Sequence, residues 1–146
     1  MRHGNAFGKF QKSRSHQRAM FRNMATSLFL NERCETTVQK AKELQRIAEK
    51  LITLGRKDTL ASRRIALTYI MDKGVVHKLF TDIGPRFKSR AGGYTRVVRT
   101  RHRHGDAAEL AMISLLAADE APKKAKKTEK KTASKKSEAK TEAKEA

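Results

Sequence analysis

The chain is 146 residues long and carries 34 Lys and Arg against 15 Asp and Glu, a formal net charge of +19. One domain fits in that length, and the single cysteine, Cys34, excludes an internal disulfide or a cysteine-based metal site. Self-repulsion at such a charge favours a polyanionic partner: nucleic acid first, and an anionic membrane surface second, which would need a wide apolar helix face.

In chain order, residues 1–13 are polar, basic and glycine-containing, without the apolar run of a signal peptide, and read as an extended arm. Ser15 is placed to cap a first helix whose stripe is Met20, Met24 and Leu28, widened by Phe21, Ala25 and Phe29. No acid occurs before Glu32. Arg33–Thr37 suits a short strand. From Thr37 to Leu54, Val38, Ala41, Leu44, Ala48, Leu51 and Ile52 fall on one helical face, and Gly55 is expected to stop that helix. Asp58 is read as the cap of a third helix, with Leu60, Ala61, Ile65 and Tyr69 as its core stripe and an end near Gly74. A short fourth helix, Val75–Asp82, shows Val76, Leu79 and Phe80, and Gly84-Pro85 is expected to forbid its continuation.

Beyond Pro85 the period changes. Arg86, Lys88 and Arg90 alternate around Phe87 in what reads as an extended run with its cationic heads on one side. After Gly92-Gly93, Tyr94–Arg101 and Leu110–Leu116 suit an antiparallel hairpin turning at His104-Gly105-Asp106. Tyr94, Arg96, Val98 and Thr100 share one strand face; Thr95, Val97, Arg99 and Arg101 share the other. The expected fold class is α+β, about four helices packed on a small mixed or antiparallel β-sheet, over residues 14–117. Residues 118–146 hold ten Lys, six acids and no large apolar side chain. They read as a disordered Lys/Ala-rich tail, a single Ala/Lys/Glu helix being the alternative.

Charge is segregated along the chain. Residues 83–105 hold seven Lys or Arg and no acid, whereas residues 32–82 mix eleven with seven acids. An ordinary basic surface interleaves lysine with glutamate. Here arginine leads, and its planar fork suits phosphate. Arg96, Arg99, Arg101 and Arg103 put cations on both faces of the hairpin, and Tyr94 offers a ring for stacking. Arg63 and Arg64 add a basic pair on the third helix, without the turn and recognition helix of a duplex-DNA reader. A basic arm and a scattered basic surface suit folded RNA.

Other chemistries lack their residues. His102 and His104 alternate as two metal ligands might be spaced, but guanidinium neighbours oppose a divalent ion, so they read as hydrogen-bonding or stacking groups. Cys34 has no histidine near it in sequence, and Gly92-Gly93 lacks the lysine of a phosphate loop. No catalysis, metal, cofactor or small-molecule substrate is expected. Glu49, on the mixed-charge second helix, is expected to be a bystander to binding. Two rivals remain: a DNA-compacting protein with a histone-like tail, and an RNA-processing enzyme using His102 or His104 as base without a paired acid.

The start MRH, the helix SHQRAMFRNMATSL, the segment TTVQKAKELQRIAEKLITL and the block KLFTDIGPRFKSRAGGYTRVVR together resemble one family. It is bacterial large-subunit ribosomal protein seventeen, and the likeness runs in order from Met1 to about Leu116. The resemblance implies a structural, non-enzymatic protein of the cytoplasm, one copy per large (50S) subunit, supporting translation. It implies binding to 23S rRNA near the rim of the polypeptide exit tunnel, beside neighbouring large-subunit ribosomal proteins and away from membranes. It points to rRNA contacts from Arg2, His3, Lys9, Lys12, Arg14, His16, Arg18 and Arg22, and from Arg86, Lys88, Arg90, Tyr94, Arg96 and Arg99. The lysine-rich tail exceeds the family's usual short end.

Overall fold

The computed structural model describes Gly8 and residues 10–117. Arg2, His3, Lys9 and the expected C-terminal tail lie outside the described residues. The first helix, α1 (Arg14–Asn31), is capped by Ser13, whose hydroxyl accepts from the His16 amide at 3.4 Å, so the cap falls two residues before Ser15. Its buried face is Phe21, Ala25, Leu28 and Phe29, with Met20 and Met24 half-buried beside them. Glu32 ends the helix in a left-handed conformation, φ 59°, and turns the chain into β1 (Arg33–Thr37).

Helix α2 (Val38–Lys57) is the centre of the molecule. Val38, Ala41, Leu44, Ala48, Leu51 and Ile52 are all buried, on the face their spacing predicts. It does not stop at Gly55. That glycine is inside the helix, because it is where the backbone of the fourth helix comes closest. A Cβ on Gly55 would lie 3.1 Å from the Leu79 carbonyl oxygen, and one on Gly84 would lie 2.6 Å from the Gly55 oxygen. The absence of side chains lets two backbones touch.

Helix α3 (Leu60–Tyr69) departs furthest from expectation. Thr59 caps it, accepting from the Ser62 amide at 3.2 Å, while Asp58 sits left-handed at φ 44°. The buried positions are Ser62 and Ala66, followed by Ile70, whereas Leu60, Ala61 and Ile65 face outward. Small side chains bring α3 close to α2 and the fourth helix, and the large apolar ones are left outside.

The fourth helix is composite. It runs from α4 (Lys73–Lys78, capped by Asp72) through a π-helical turn (Leu79–Ile83) into a final helical turn, Gly84–Arg86. Pro85 was expected to end it, and does not. The wider π turn bonds the Gly84 amide to the Leu79 carbonyl, and Pro85 then opens a new turn, where its missing N–H costs nothing. Arg86 is therefore helical, and Lys88 and Arg90 follow in tight turns rather than an extended run.

The hairpin forms β2 (Thr95–His102) and β3 (Glu109–Leu115). With β1 they make one three-stranded antiparallel sheet in the order β1-β3-β2. Cys34, Ile113 and Val97 stand in register on the inner face, against α2, and Arg33, Ser114 and Arg96 form the matching row outside. A register shift between Arg99 and His102 bends the end of β2. The fold is α+β, four helices on a small antiparallel sheet. Among the described residues no helix is long and apolar enough to cross a membrane.

Candidate nucleic-acid interface

The start of the arginine-bearing strand is held by α2. Glu49 accepts from the Gly93 amide at 3.2 Å, the Tyr94 amide at 3.1 Å and the Thr95 hydroxyl at 3.2 Å. Gln45, one turn earlier, donates to the Thr95 carbonyl at 3.4 Å. Glu49, expected to be a bystander to binding, is thus a structural anchor of the hairpin start. Tyr94 is also corrected. It is 1% exposed, its ring packs on Phe87 with centroids 5.2 Å apart, and its hydroxyl takes a 2.6 Å bond from Arg56. A ring buried so completely has no face left for a nucleobase.

The arginines divide into two kinds. The first kind is built into the fold. Arg86 forks onto both oxygens of Glu32, at 2.8 and 3.0 Å, and reaches Asp82 at 3.3 Å. That bond to Arg86 holds the Glu32 carboxyl below the usual range, Lys78 adding attraction at 3.5 Å. Arg22 donates to the Thr68 carbonyl and lies over the Tyr69 ring, tying α1 to α3. Arg63 bonds Asp58 at 2.9 Å and covers the Phe80 ring at 4.8 Å.

The second kind sits loosely on the hairpin. Arg99 meets Glu109 and Arg101 meets Glu35, each at 3.5 Å with the arginine side chain 70% exposed. Arg103, though exposed, is held more closely than these two: it forks onto both oxygens of Asp106 across the turn, and this bond brings the Asp106 carboxyl down to about 2. The stretch is free of acids in sequence, yet the fold brings Glu35, Asp106 and Glu109 to its hairpin arginines from outside it. Exposed pairs of this kind contribute little, because water and salt already satisfy both partners.

The other candidates fall in two places. Lys12, Arg14, His16 and Arg18 are exposed around the start of α1. The chain leading into them is anchored, for Gln17 donates to the Gly8 carbonyl at 2.9 Å and Phe10 meets Phe21 edge-on at 5.6 Å. Phe10 and Gln11 are left-handed, so this part is a docked turn rather than an extended arm. Lys88 is exposed and Arg90 half-buried beyond the fourth helix, where Arg56 donates to the Lys88 carbonyl at 3.1 Å. Arg64 stands apart from both groups, on the outer face of α3. His102 and His104 are exposed near the hairpin tip. Cys34 is half-buried, and burial pushes its thiol up, away from the thiolate a nucleophile needs.

Sequence reasoning missed Glu32, Glu49 and Arg56. Each acts across at least thirty residues, and no local spacing marks such a partner.

A strongly basic surface on a helix-backed hairpin is what a nucleic-acid-associated protein presents, and the comparisons narrow the class. The family model described as Ribosomal protein L17 matches residues 20–116. The chain is 53% identical over 120 residues to the large ribosomal subunit protein bL17 of Desulfotalea psychrophila, covering 82% of this chain and 93% of that one. It is 48% identical over 126 residues to the protein of the same name from Pelobacter propionicus, covering 86% and 99%. Against that of Treponema denticola it is 52% identical over 124 residues, covering 85% and 69%. The chain belongs to the ribosomal protein L17 family. It is a structural, non-enzymatic constituent of the ribosome, which in bacteria is cytoplasmic.

Proposed function

We propose that this chain binds and stabilises 23S rRNA in the large (50S) subunit, near the rim of the polypeptide exit tunnel and beside other large-subunit proteins, one copy per particle. The observation that carries the reading is the loose pairing of Arg99 and Arg101 on the hairpin, 3.5 Å from their carboxylates and 70% exposed. The contacts come from Lys12, Arg14, His16 and Arg18, from Lys88, Arg90, Arg96, Arg99, Arg101 and Arg103, and from Arg2, His3 and Lys9 in the arm. On binding, phosphate replaces the surface carboxylates as guanidinium partner, and counterions leave the RNA. Pairing with β3 and the grip of Glu49 keep the cations at fixed spacing, so little ordering entropy is lost when RNA arrives.

The test is ultraviolet crosslinking within purified large subunits after a high-salt wash. Crosslinks from the hairpin and the start of α1 to 23S rRNA near the tunnel rim are expected. Loss of the protein in the wash, or crosslinks elsewhere in the particle, would overturn the reading. A DNA-compacting protein would instead leave the particles and bind any duplex equally.

A further inference from the structure

The turn between the fourth helix and β2 is held from the core side by its carbonyl groups. Arg56 of α2 donates to the Lys88 carbonyl at 3.1 Å and to the Tyr94 hydroxyl at 2.6 Å. A guanidinium only donates, so the hydroxyl proton is left for the carbonyls of Ala91, at 3.2 Å, and Arg90, at 3.5 Å. No peptide bond among the described residues is cis, and in a trans peptide the N–H points opposite to the C=O. With these three carbonyls drawn inward, the amides of Ser89, Ala91 and Gly92 face away from the buried Tyr94. The neighbouring amides are taken: Lys88 bonds back to Pro85, Arg90 to Phe87, and Gly93 and Tyr94 to Glu49. Those of Ser89, Ala91 and Gly92 have no acceptor among the described residues.

Ala91 and Gly92 are consecutive, and successive N–H groups on one side of the chain make a concavity for an anion. The carbonyls of Ser89 and Gly92, turned outward by the inward bonds of the Arg90 and Gly93 amides, bound it on either side. Gly92 is exposed, has no positive φ, and a Cβ there would meet nothing within 4 Å. The fold itself does not need glycine at that position; a partner approaching the backbone closely does. The charge agrees. Lys88 is exposed, and Arg90 is half-buried, its Nε buried and its guanidinium without an acceptor among the described residues. A cation partly withdrawn from water with no acid beside it is unfavourable in the free chain and is satisfied by an anion.

We propose that residues 88–93 form a backbone phosphate site, in which the Ala91 and Gly92 amides and the Arg90 guanidinium close on one phosphate of the rRNA. Arg56 and Tyr94 are its positioning residues, since they orient the peptide groups without touching the ligand. No motif marks the site, because its donors are main-chain groups aimed by side chains from elsewhere in the sequence. The inference rests on the rRNA reading for the source of the phosphate, but not for the presence of the site.

The experiment follows the backbone amides of the full chain by NMR while inorganic phosphate is added. The Ala91 and Gly92 amides are expected to shift together on one saturating curve, with Gly93 and Tyr94, already bonded to Glu49, staying in place. Shifts at Ala91 and Gly92 no larger than those at Gly93 and Tyr94 would overturn the proposal. Replacing the Ala91 amide by an ester removes one donor and no charge. It is expected to weaken binding to a 23S rRNA fragment roughly tenfold, the loss of one hydrogen bond to a charged acceptor. Salt slope and melting temperature should stay at wild-type values, because no cation and no internal bond is lost. Gly92→Val is the second arm: its added Cβ meets nothing in the free chain, so it should keep the fold and lower the same affinity several-fold. Unchanged affinity in both, with phosphate still shifting the amides, would assign the turn to a carboxylate or a free phosphate and overturn the RNA source. Should the wild-type chain hold no 23S fragment at all, the rRNA reading falls, and the phosphate titration alone decides whether the turn is an anion site.

Discussion

Glu32 and Arg86 are joined by two parallel hydrogen bonds, 2.8 and 3.0 Å, across 54 residues of sequence. The pair fastens the left-handed end of α1 to the last turn of the fourth helix. It also takes one arginine out of the group available to phosphate. Because Arg86 lowers the Glu32 carboxyl in the folded state, the contribution to stability is present above the ordinary value of 4.5 and is lost as pH falls through the lowered one. Urea midpoints should therefore fall faster with acidification in the wild type than in Glu32→Gln. Parallel curves below about pH 5 would mean that the pair is as strong in the unfolded chain.

The Gly55–Gly84 contact sets how closely α2 and the fourth helix approach. Gly84→Ala puts a methyl group 2.6 Å from a backbone oxygen that has nowhere to move. It is expected to cost about 1–3 kcal/mol by overpacking. Gly55→Ala, at 3.1 Å from the Leu79 oxygen, should cost less. Equilibrium denaturation of the two variants checks both the size and the order, and a more damaging Gly55→Ala would contradict this account.

Removing the Glu49 carboxylate strands three donors at the mouth of β2. Glu49→Ala should cost about 1–3 kcal/mol, the penalty of unsatisfied polar groups. It should also lower hydrogen-exchange protection of the Tyr94 amide well before that of the α2 core. An unchanged Tyr94 rate would show that the hairpin start is held by packing alone.

Much of this was legible in the sequence, and what failed did so for physical reasons. The stripe from Val38 to Ile52 was readable because one strong period ran through a long helix facing one core. The hairpin was readable from turn residues between two strand-forming runs. For α3 the large apolar side chains misled, because the side that packs closely on α2 and the fourth helix admits small ones, Ser62 and Ala66, and leaves Leu60 and Ile65 outside. At Pro85 local rules were correct for an α-helix but did not foresee a π turn. The arginine run looked unpaired because Glu35 and Glu109 reach it only through the sheet. The basic character of the surface survived these errors, since it depends on composition more than on register.

The division of arginines into built-in and loosely held ones predicts different responses to salt. An arginine that exchanges a carboxylate for a phosphate releases about one counterion, so Arg99→Ala and Arg101→Ala should each flatten the log–log salt slope of rRNA-fragment binding by about 0.7–0.9. Arg86→Ala should lower stability while leaving the slope near wild type, because Arg86 is already taken by Glu32 and Asp82. The carboxylates give the complementary test. Glu109 competes with phosphate for Arg99, so Glu109→Gln should tighten binding at low salt, and should do so less once Arg99→Ala is present. Fluorescence anisotropy across a salt series, at a temperature where every variant is folded, supplies all of these numbers. Should Arg86→Ala flatten the slope as much as Arg99→Ala, Glu32 is surrendered to the RNA and the two kinds of arginine are one.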